Sequence, residues 1–361
     1  MKAVILAGGE GTRLRPLTCN IPKPMVPILN RPFLEHMLSL LRDHSVQEAI
    51  LAIGYLPDKI QNVLGSGERL NIPLSYVIEE EPLGTAGAVK NLENALGNDS
   101  FFVLNGDIFT DIDLNAMEKF HRDKGSMVTL FLTPVEDPSA FGVVETDEAG
   151  RVLRFLEKPA PGETTSNWIN GGIYLIEPEA LAYAPPSEHY MFERGLFPKL
   201  LEEGASVWGY KTTPYWIDLG TPNNYRQIPR DLLLKDPLKP QRIELTQNTT
   251  GSFVDQSSSI IGDVLLGEGC SIGPRVVIEG PVCLGPMCTV EEGAYIHNSI
   301  VWKETTIETR AKLTGCILGE GVRIGQHASI NDGCIVGDNV KVDAHQVLDP
   351  NTIVWPDTTK Q

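Results

Sequence analysis

Positive charge is scarce in this sequence: 30 lysines and arginines stand against 47 aspartates and glutamates, a formal net charge of −17. A general affinity for nucleic acid or anionic membrane rests on clustered cations, so neither is expected as a partner. Long hydrophobic runs are also missing, and the opening stretch MKAVILAGGEG breaks at glycine after a few apolar residues. Nothing approaches the roughly 20 apolar residues of a membrane span, and the secretory-leader pattern is absent. A cytoplasmic location is therefore expected. Cysteine is sparse as well. Of six, only Cys19 lies in the first two-thirds, and Cys270, Cys283, Cys288, Cys316 and Cys334 sit among aliphatic residues without C-x-x-C spacing. This excludes a disulfide scaffold or zinc ribbon and predicts buried thiols in a reducing compartment.

What is present follows two rhythms. The 361 residues allow two or three domains, and 42% hydrophobic content suits ordinary packed cores. Up to about residue 230, apolar runs such as MKAVILA, EAILAIGY, LSYVIEE and FFVLNGD alternate with helical stretches such as FLEHMLSLLRDH and GTAGAVKNLENAL. The alternation predicts a Rossmann-like α/β domain over 1–232, with a mixed, mainly parallel sheet and helices on both faces. Ligands of such sheets bind beyond the carboxyl ends of strands, where both the glycine-rich segment and NGD fall. The proline-containing stretch LLLKDPLKPQR marks a linker, placed at 233–250.

Beyond it the period is six. One row of small or aliphatic residues runs Val264, Cys270, Val276, Val282, Cys288, Ala294, and a second, two positions on, runs Leu266, Ile272, Ile278, Leu284, Val290, Ile296. The rhythm slips near KLTGC and resumes at Val322 with Ile324, Ala328 with Ile330, and Cys334 with Val336. Such hexads predict a left-handed parallel β-helix over 251–361. Its regular faces make a homo-oligomer the default expectation.

The segment LAGGEGTRLRPLT, residues 6–18, follows the first strand at once. It lacks the G-K-[ST] of a Walker loop and the G-x-G-x-x-G of a dinucleotide fingerprint. Its physical logic still suits an anion. Gly8, Gly9 and Gly11 let main-chain N–H groups approach one, Arg13 adds a planar cationic fork, and PKP stiffens the chain around Lys23.

Followed by PKPMVPI, EEEPLGTAGA, VLNGD, FGVV, FLEKP, NGGIY and WIDLGTP in that order, this segment resembles the signature of the sugar-1-phosphate nucleotidylyltransferases. The likeness spans residues 1 to about 226 and continues into hexapeptide repeats, as in several branches of that family. It implies attack of a hexose 1-phosphate on the α-phosphate of a nucleoside triphosphate, with release of pyrophosphate. The nucleophile is already an anion, so catalysis must come from alignment and charge compensation. Carried over residue by residue, Arg13, Lys23 and Asp107 would be catalytic. The nucleotide side would comprise Leu6, Ala7, Gly8, Gly9, Gly11, Thr12, Arg13, Lys23, Glu79, Pro82, Gly84 and Thr85. Lys158 would grip the sugar phosphate, Glu157 would accept from sugar hydroxyls, and Gly142, Asn170 and Gly171 would form sugar-contacting turns. Asp107 and Asp218 match the positions that hold Mg²⁺, a cation content with one or two carboxylates plus phosphate oxygens and water.

The base is read from a glutamate. Thymidylyl members carry a glutamine upstream of the EEEPLGTAG loop, and Glu79 falls near that position. A carboxylate only accepts hydrogen bonds, which suits the N1–H and 2-amino donors of guanine and opposes the two carbonyls of uracil. GTP is favoured provided Glu79, rather than Glu80 or Glu81, points inward. The motifs look most like mannose-1-phosphate guanylyltransferases, although NGGIY and LNGD stand where many of those read NAGMY and LNSD. Uridylyl, thymidylyl, cytidylyl or adenylyl transfer to glucose 1-phosphate, and a non-catalytic regulatory role, stay open at this stage. A further alternative gives the repeats an acyltransferase activity, with His297, His327 or His345 as base.

Overall fold

The computed structural model describes residues 1–79, 81–234 and 250–356. Most of the expected linker (235–249), Glu80 and residues 357–361 lie outside the described residues. The chain forms two compact units. One comprises Met1–Glu10 with Leu34–Asp218, the other Gly11–Phe33 with Leu219–Gln361. The linear reading of 1–232 and 251–361 does not express this division, because the loop Gly11–Phe33 clusters with the C-terminal part of the chain.

The first unit is built on a nine-stranded sheet in the order Val152–Glu157, Gly142–Thr146, Trp168–Ile176, Phe101–Asn105, Lys2–Ala7, Glu48–Ile53, Leu74–Ile78, with Val128–Pro134 branching from Trp168–Ile176 and Val207–Lys211 pairing with Val128–Pro134. Lys2–Ala7 runs parallel to both neighbours, with Leu6 opposite Asn105 on one side and Ala52 on the other. Pairing turns antiparallel at Trp168–Ile176, so the sheet is mixed. Strands such as VILA and FFVL are continuously apolar, as suits strands that are largely buried on both faces. From the helix Gly84–Asn91, Ala86 and Val89 pack with Val4, Ile50 and Val103 in one buried cluster. The helix Leu114–Lys124 shows how sequence sets its own ends: Asp113 accepts from the Ala116 N–H at 3.0 Å, and Gly125 closes the other end at φ 54°.

In the second unit, strands of two or three residues stack as three six-stranded parallel sheets, which makes a three-sided β-helix. Every residue of the two hexad rows is in its buried core. Most coils take 18 residues, as in Leu266 over Leu284, and two take 17, with Leu284 over Val301 and Val301 over Leu318. The broken rhythm thus has two origins. One residue is dropped between Ile296 and Val301, and another between Leu313 and Leu318 beside KLTGC. All six cysteines are free, and five are buried: Cys270, Cys288, Cys316 and Cys334 within this core and Cys283 outside it. Burial alone pushes the Cys283 thiol up to about 12.

The loop Gly11–Phe33 is tied to this unit by polar contacts that leave little freedom. Asn20 donates to Asp338 (3.0 Å), and Asn30 donates to the Leu284 carbonyl (2.8 Å). Tyr225, from the helix Pro222–Leu233, donates to the Pro27 carbonyl at 2.8 Å and accepts from the Trp302 indole at 2.8 Å. Tyr225 is fully buried, and an unsatisfied hydroxyl there would cost about 1–3 kcal/mol.

Ile296 sits in the middle of the β-helix core with no exposure. Ile296→Ala should destabilise the protein by about 2–5 kcal/mol. Denaturant unfolding measures this, and a loss below about 1 kcal/mol would mean that the coil interior collapses around the missing atoms.

Candidate functional site

The carboxyl ends of the parallel strands in the first unit surround a cavity of about 530 Å³. It is lined by Leu6, Gly8, Gly9, Glu10, Ala52, Gly54, Tyr55, Glu79, Pro82, Gly84, Thr85 and Ala88. Seven of the residues expected on the nucleotide side therefore share one space: Leu6, Gly8, Gly9, Glu79, Pro82, Gly84 and Thr85. Ala7 is buried in the strand behind them. Gly11, Thr12, Arg13 and Lys23 belong to the second unit. There Gly11 has φ 63°, and a Cβ on it would lie 2.7 Å from the Lys23 Cβ, so glycine lets the lysine stem pass. Thr18 fixes the same turn by donating to the Gly11 carbonyl at 2.8 Å. Arg13 is exposed, whereas Lys23 is buried.

Glu79 follows the strand Leu74–Ile78, donates its N–H to the Ile53 carbonyl (2.9 Å) and lines the cavity. Its Oε2 lies 3.3 Å from where a Cβ on Gly8 would be, so a larger residue at 8 would crowd the carboxylate. Burial raises the Glu79 carboxyl above the ordinary range. Glu81 is exposed and does not line this space. A Cβ on Gly9, by contrast, would meet nothing within 4 Å.

Asp107 and Asp218 come together through strand pairing. The Gly106 N–H donates to the Leu6 carbonyl at 2.9 Å, so Asp107 starts one residue beyond the cavity wall. The antiparallel pair of Ile108–Thr110 with Trp216–Asp218 then puts Asp218 opposite Ile108, the residue after Asp107. Two partly exposed carboxylates, one in the turn just before a strand and the other on the strand paired with it, are a hard-oxygen donor set that fits Mg²⁺. Among the described residues no group of three or more His, Cys, Asp or Glu is assembled, so substrate oxygens and water would have to complete such a shell.

The expected sugar-side residues converge as well. Glu157 stands opposite Gly142 in the hairpin, and its Oε2 is 3.1 Å from where a Gly142 Cβ would be. Lys158 is exposed and adopts φ 52°, an uncommon left-handed conformation for a side-chain-bearing residue, held by its N–H to the Phe141 carbonyl at 3.0 Å. Asn170 accepts from the Gly172 N–H (3.1 Å) and donates to the Tyr174 hydroxyl (2.7 Å). The Gly171 carbonyl accepts from the Trp216 indole at 3.0 Å, and that indole meets the Phe141 ring edge-on at 5.6 Å. Gly171 itself leaves room for the Phe131 ring, 2.3 Å from a hypothetical Cβ.

Sequence reasoning missed Glu10, Gly54 and Tyr55 in the cavity wall, and Glu193 beside Thr85. The signal for Gly54 and Tyr55 was available, since they follow the strand Glu48–Ile53 at its carboxyl end. Nothing local marks Glu193. In the β-helix, the His327 and His345 rings stack nearly parallel with centroids 5.0 Å apart, and His297 lies 3.8 Å from Glu279.

Residues 2–234 match the family described as Nucleotidyl transferase, and residues 260–359 match the GMPPB C-terminal domain. The chain belongs to the nucleotidyl transferase family. It is a sugar-1-phosphate nucleotidylyltransferase, an enzyme whose family binds nucleoside triphosphate and sugar phosphate. It is 38% identical to a mannose-1-phosphate guanylyltransferase of Mycobacterium tuberculosis, over 82% of each chain. It is 35% identical to a UTP–glucose-1-phosphate uridylyltransferase of Synechocystis sp., over 87% of this chain and 86% of that one. Among solved structures, HddC from Yersinia pseudotuberculosis complexed with GMP-PN is similar, with a TM-score of 0.56 at 31% identity, over 64% of this chain and 99% of that one. Among the described residues no helix is long and apolar enough to cross a membrane.

The open space at Gly9 gives a clean test. Gly9→Ala should leave the thermal unfolding midpoint within a degree or so of wild type, yet raise KM for the nucleotide about tenfold, worth about 1.4 kcal/mol. An unchanged KM in steady-state pyrophosphate release would mean that no phosphate comes near Gly9.

Proposed function

We propose that this enzyme makes GDP-mannose from GTP and mannose 1-phosphate, releasing pyrophosphate. The observation that carries the choice of base is the Glu79 carboxylate on the wall of the cavity. Guanine presents two adjacent donors, which one carboxylate accepts together, and uracil would set its carbonyls against that charge. The guanylyltransferase relative and the relative complexed with GMP-PN support the reading, and the uridylyltransferase relative makes the base the point to test.

In this reading a phosphate oxygen of mannose 1-phosphate attacks the α-phosphorus. A P–O bond forms there, the bond to the bridging oxygen breaks, and pyrophosphate leaves with the electron pair. No proton need be removed from the nucleophile, so the chain's work is alignment and charge compensation. The main chain at Gly8 and Gly9 approaches the triphosphate, and Arg13 and Lys23 offset its charge. Lys158 holds the sugar phosphate, while Glu157 accepts from the sugar hydroxyls beside Gly142, Asn170 and Gly171. Asp107 and Asp218 would hold Mg²⁺, which when bound offsets negative charge on the phosphates. We further propose a functional division into 1–232, a linker at 233–250 and 251–361, with assembly into a homo-oligomer through the β-helix and a cytoplasmic location.

The experiment is pyrophosphate release with Mg²⁺ across GTP, UTP, dTTP, CTP and ATP, crossed with mannose 1-phosphate and glucose 1-phosphate. GTP with mannose 1-phosphate should dominate; dominance of UTP or dTTP with glucose 1-phosphate would overturn the specificity and leave the chemistry. Lys158→Ala should raise KM for the sugar phosphate at least tenfold more than KM for the triphosphate, and an equal rise in both would remove Lys158 from the sugar side.

Glu79 also predicts a pH dependence. Its carboxyl titrates above the ordinary range, and only the ionised form accepts from both guanine donors. GTP affinity should therefore weaken as pH falls into the weakly acidic range, and Glu79→Gln should bind GTP less tightly at neutral pH with that pH dependence flattened. Calorimetric titration at several pH values measures both, and an identical pH profile in the variant would take Glu79 out of base recognition.

A further inference from the structure

Glu193 touches both halves of the site in the first unit. It lies in the turn Phe192–Leu196, where the Phe192 N–H donates to the Thr85 hydroxyl at 2.9 Å. The Thr85 hydroxyl in turn donates to Glu193 Oε2 at 3.3 Å. On the other side the Tyr174 hydroxyl donates to Glu193 Oε1 at 3.2 Å while it accepts from the Asn170 amide at 2.7 Å. Thr85 lines the cavity and Asn170 begins the NGG turn, so an unbroken chain of hydrogen bonds runs from one to the other through a single carboxylate.

The frame around that chain is stiff. The Ala86 and Gly87 N–H groups both donate to the Tyr190 carbonyl at 2.9 Å, and the Tyr190 N–H donates to the Leu83 carbonyl at 2.8 Å. The fully buried Tyr174 ring packs against Phe192 and Phe197 at 5.1 and 5.0 Å. With the rings and the main chain held in place, a change at one end of this hydrogen-bonded network would be felt at the other, because its members polarise one another. Burial, and to a lesser degree the nearby Glu157 charge, raises the Glu193 carboxyl above the ordinary range.

We infer that Glu193 is a positioning residue that couples the two subsites, so that filling one tightens binding in the other. The inference rests on the assignment of Thr85 to the nucleotide side and of Asn170, Glu157 and Lys158 to the sugar side. By linkage the coupling is reciprocal, so it can be read from either ligand.

The test measures Kd for mannose 1-phosphate by calorimetry, with and without a saturating non-hydrolysable GTP analogue. In wild-type protein the analogue should tighten mannose 1-phosphate binding at least about fivefold, the lower end of common coupling factors. Glu193→Gln keeps the size but loses one acceptor, and Tyr174→Phe removes the hydroxyl in the middle. Both should bring the ratio close to one, while Thr85→Ser, which keeps its hydroxyl, should preserve it. A thermal melt shows that each variant is folded. A wild-type ratio of one, or an undiminished ratio in folded Glu193→Gln and Tyr174→Phe proteins, would overturn the coupling and make Glu193 a structural brace. Wild-type protein that binds neither ligand, or Lys158→Ala protein that binds mannose 1-phosphate as wild type does, would instead overturn the site assignment and the inference with it.

Discussion

The first unit depends on one constraint: the strand Lys2–Ala7 is paired in parallel on both sides. Parallel pairing sends the carboxyl ends of neighbouring strands to the same edge of the sheet, and each must be followed by a loop before its crossover. The loops after Ala7, Ile53, Ile78 and Asn105 therefore gather there, whatever their sequences. The cavity wall is made of what those loops happen to carry: Gly8 and Gly9 from the first, Gly54 and Tyr55 from the second, Glu79 from the third. The fourth supplies Asp107, held close because the Gly106 N–H is spent on the Leu6 carbonyl. A Cβ at Gly106 would stand 2.5 Å from that same oxygen, so the approach of loop to strand excludes any side chain there.

The second unit solves a different problem, that of holding a loop with almost no regular structure. Apart from two short 3₁₀ turns and a two-residue-per-strand hairpin, Gly11–Phe33 has no ladder to satisfy its polar groups. Side chains from the β-helix and the helix Pro222–Leu233 do so instead. Asp338 is buried and titrates above the ordinary range through desolvation, yet it accepts from Asn20 and from the Glu320 N–H at 2.8 Å. A buried carboxylate with one such partner removed is costly, which makes each contact informative about where the loop must be. The C-terminal repeats thus hold the segment that carries Arg13 and Lys23, a physical reason for them independent of any assembly.

How much of this was legible beforehand depends on the range of the forces involved. The hexad rows were readable because a three-sided coil repeats its inward positions locally, and all of them are buried. The two 17-residue coils were only half visible: the second disturbs KLTGC, while the first hides in a stretch where Ser299 and Val301 keep the small-then-aliphatic pattern one residue early. The glycine loop and the aspartates were legible because backbone approach and charge leave strong residue preferences. Glu193 was not, since its meaning comes from Thr85, 108 positions away, and Tyr174, 19 positions away. Lys158 could be picked out by its motif, but its left-handed backbone could not, since nothing about a lysine before a proline asks for φ 52°.

Overall similarity is a poor guide to the base, and the reason is physical. A guanylyltransferase at 38% identity and a uridylyltransferase at 35% are nearly equidistant from this chain. A sheet, a β-helix and phosphate-binding loops serve either chemistry, so overall identity need not follow the base. Recognition of the base needs only a few groups at the edge of the cavity, and a single misplaced acceptor there outweighs dozens of conserved core contacts in setting preference. In the reading proposed above, Glu79 on the cavity wall is such a group. Its partial burial makes its charge expensive to leave unpaired, so a base that donates twice relieves a cost already present in the empty site, and a base that presents carbonyls adds to it. In that reading, the same desolvation that raises the Glu79 carboxyl above the ordinary range would also make it discriminate between a base that donates to it and one that does not.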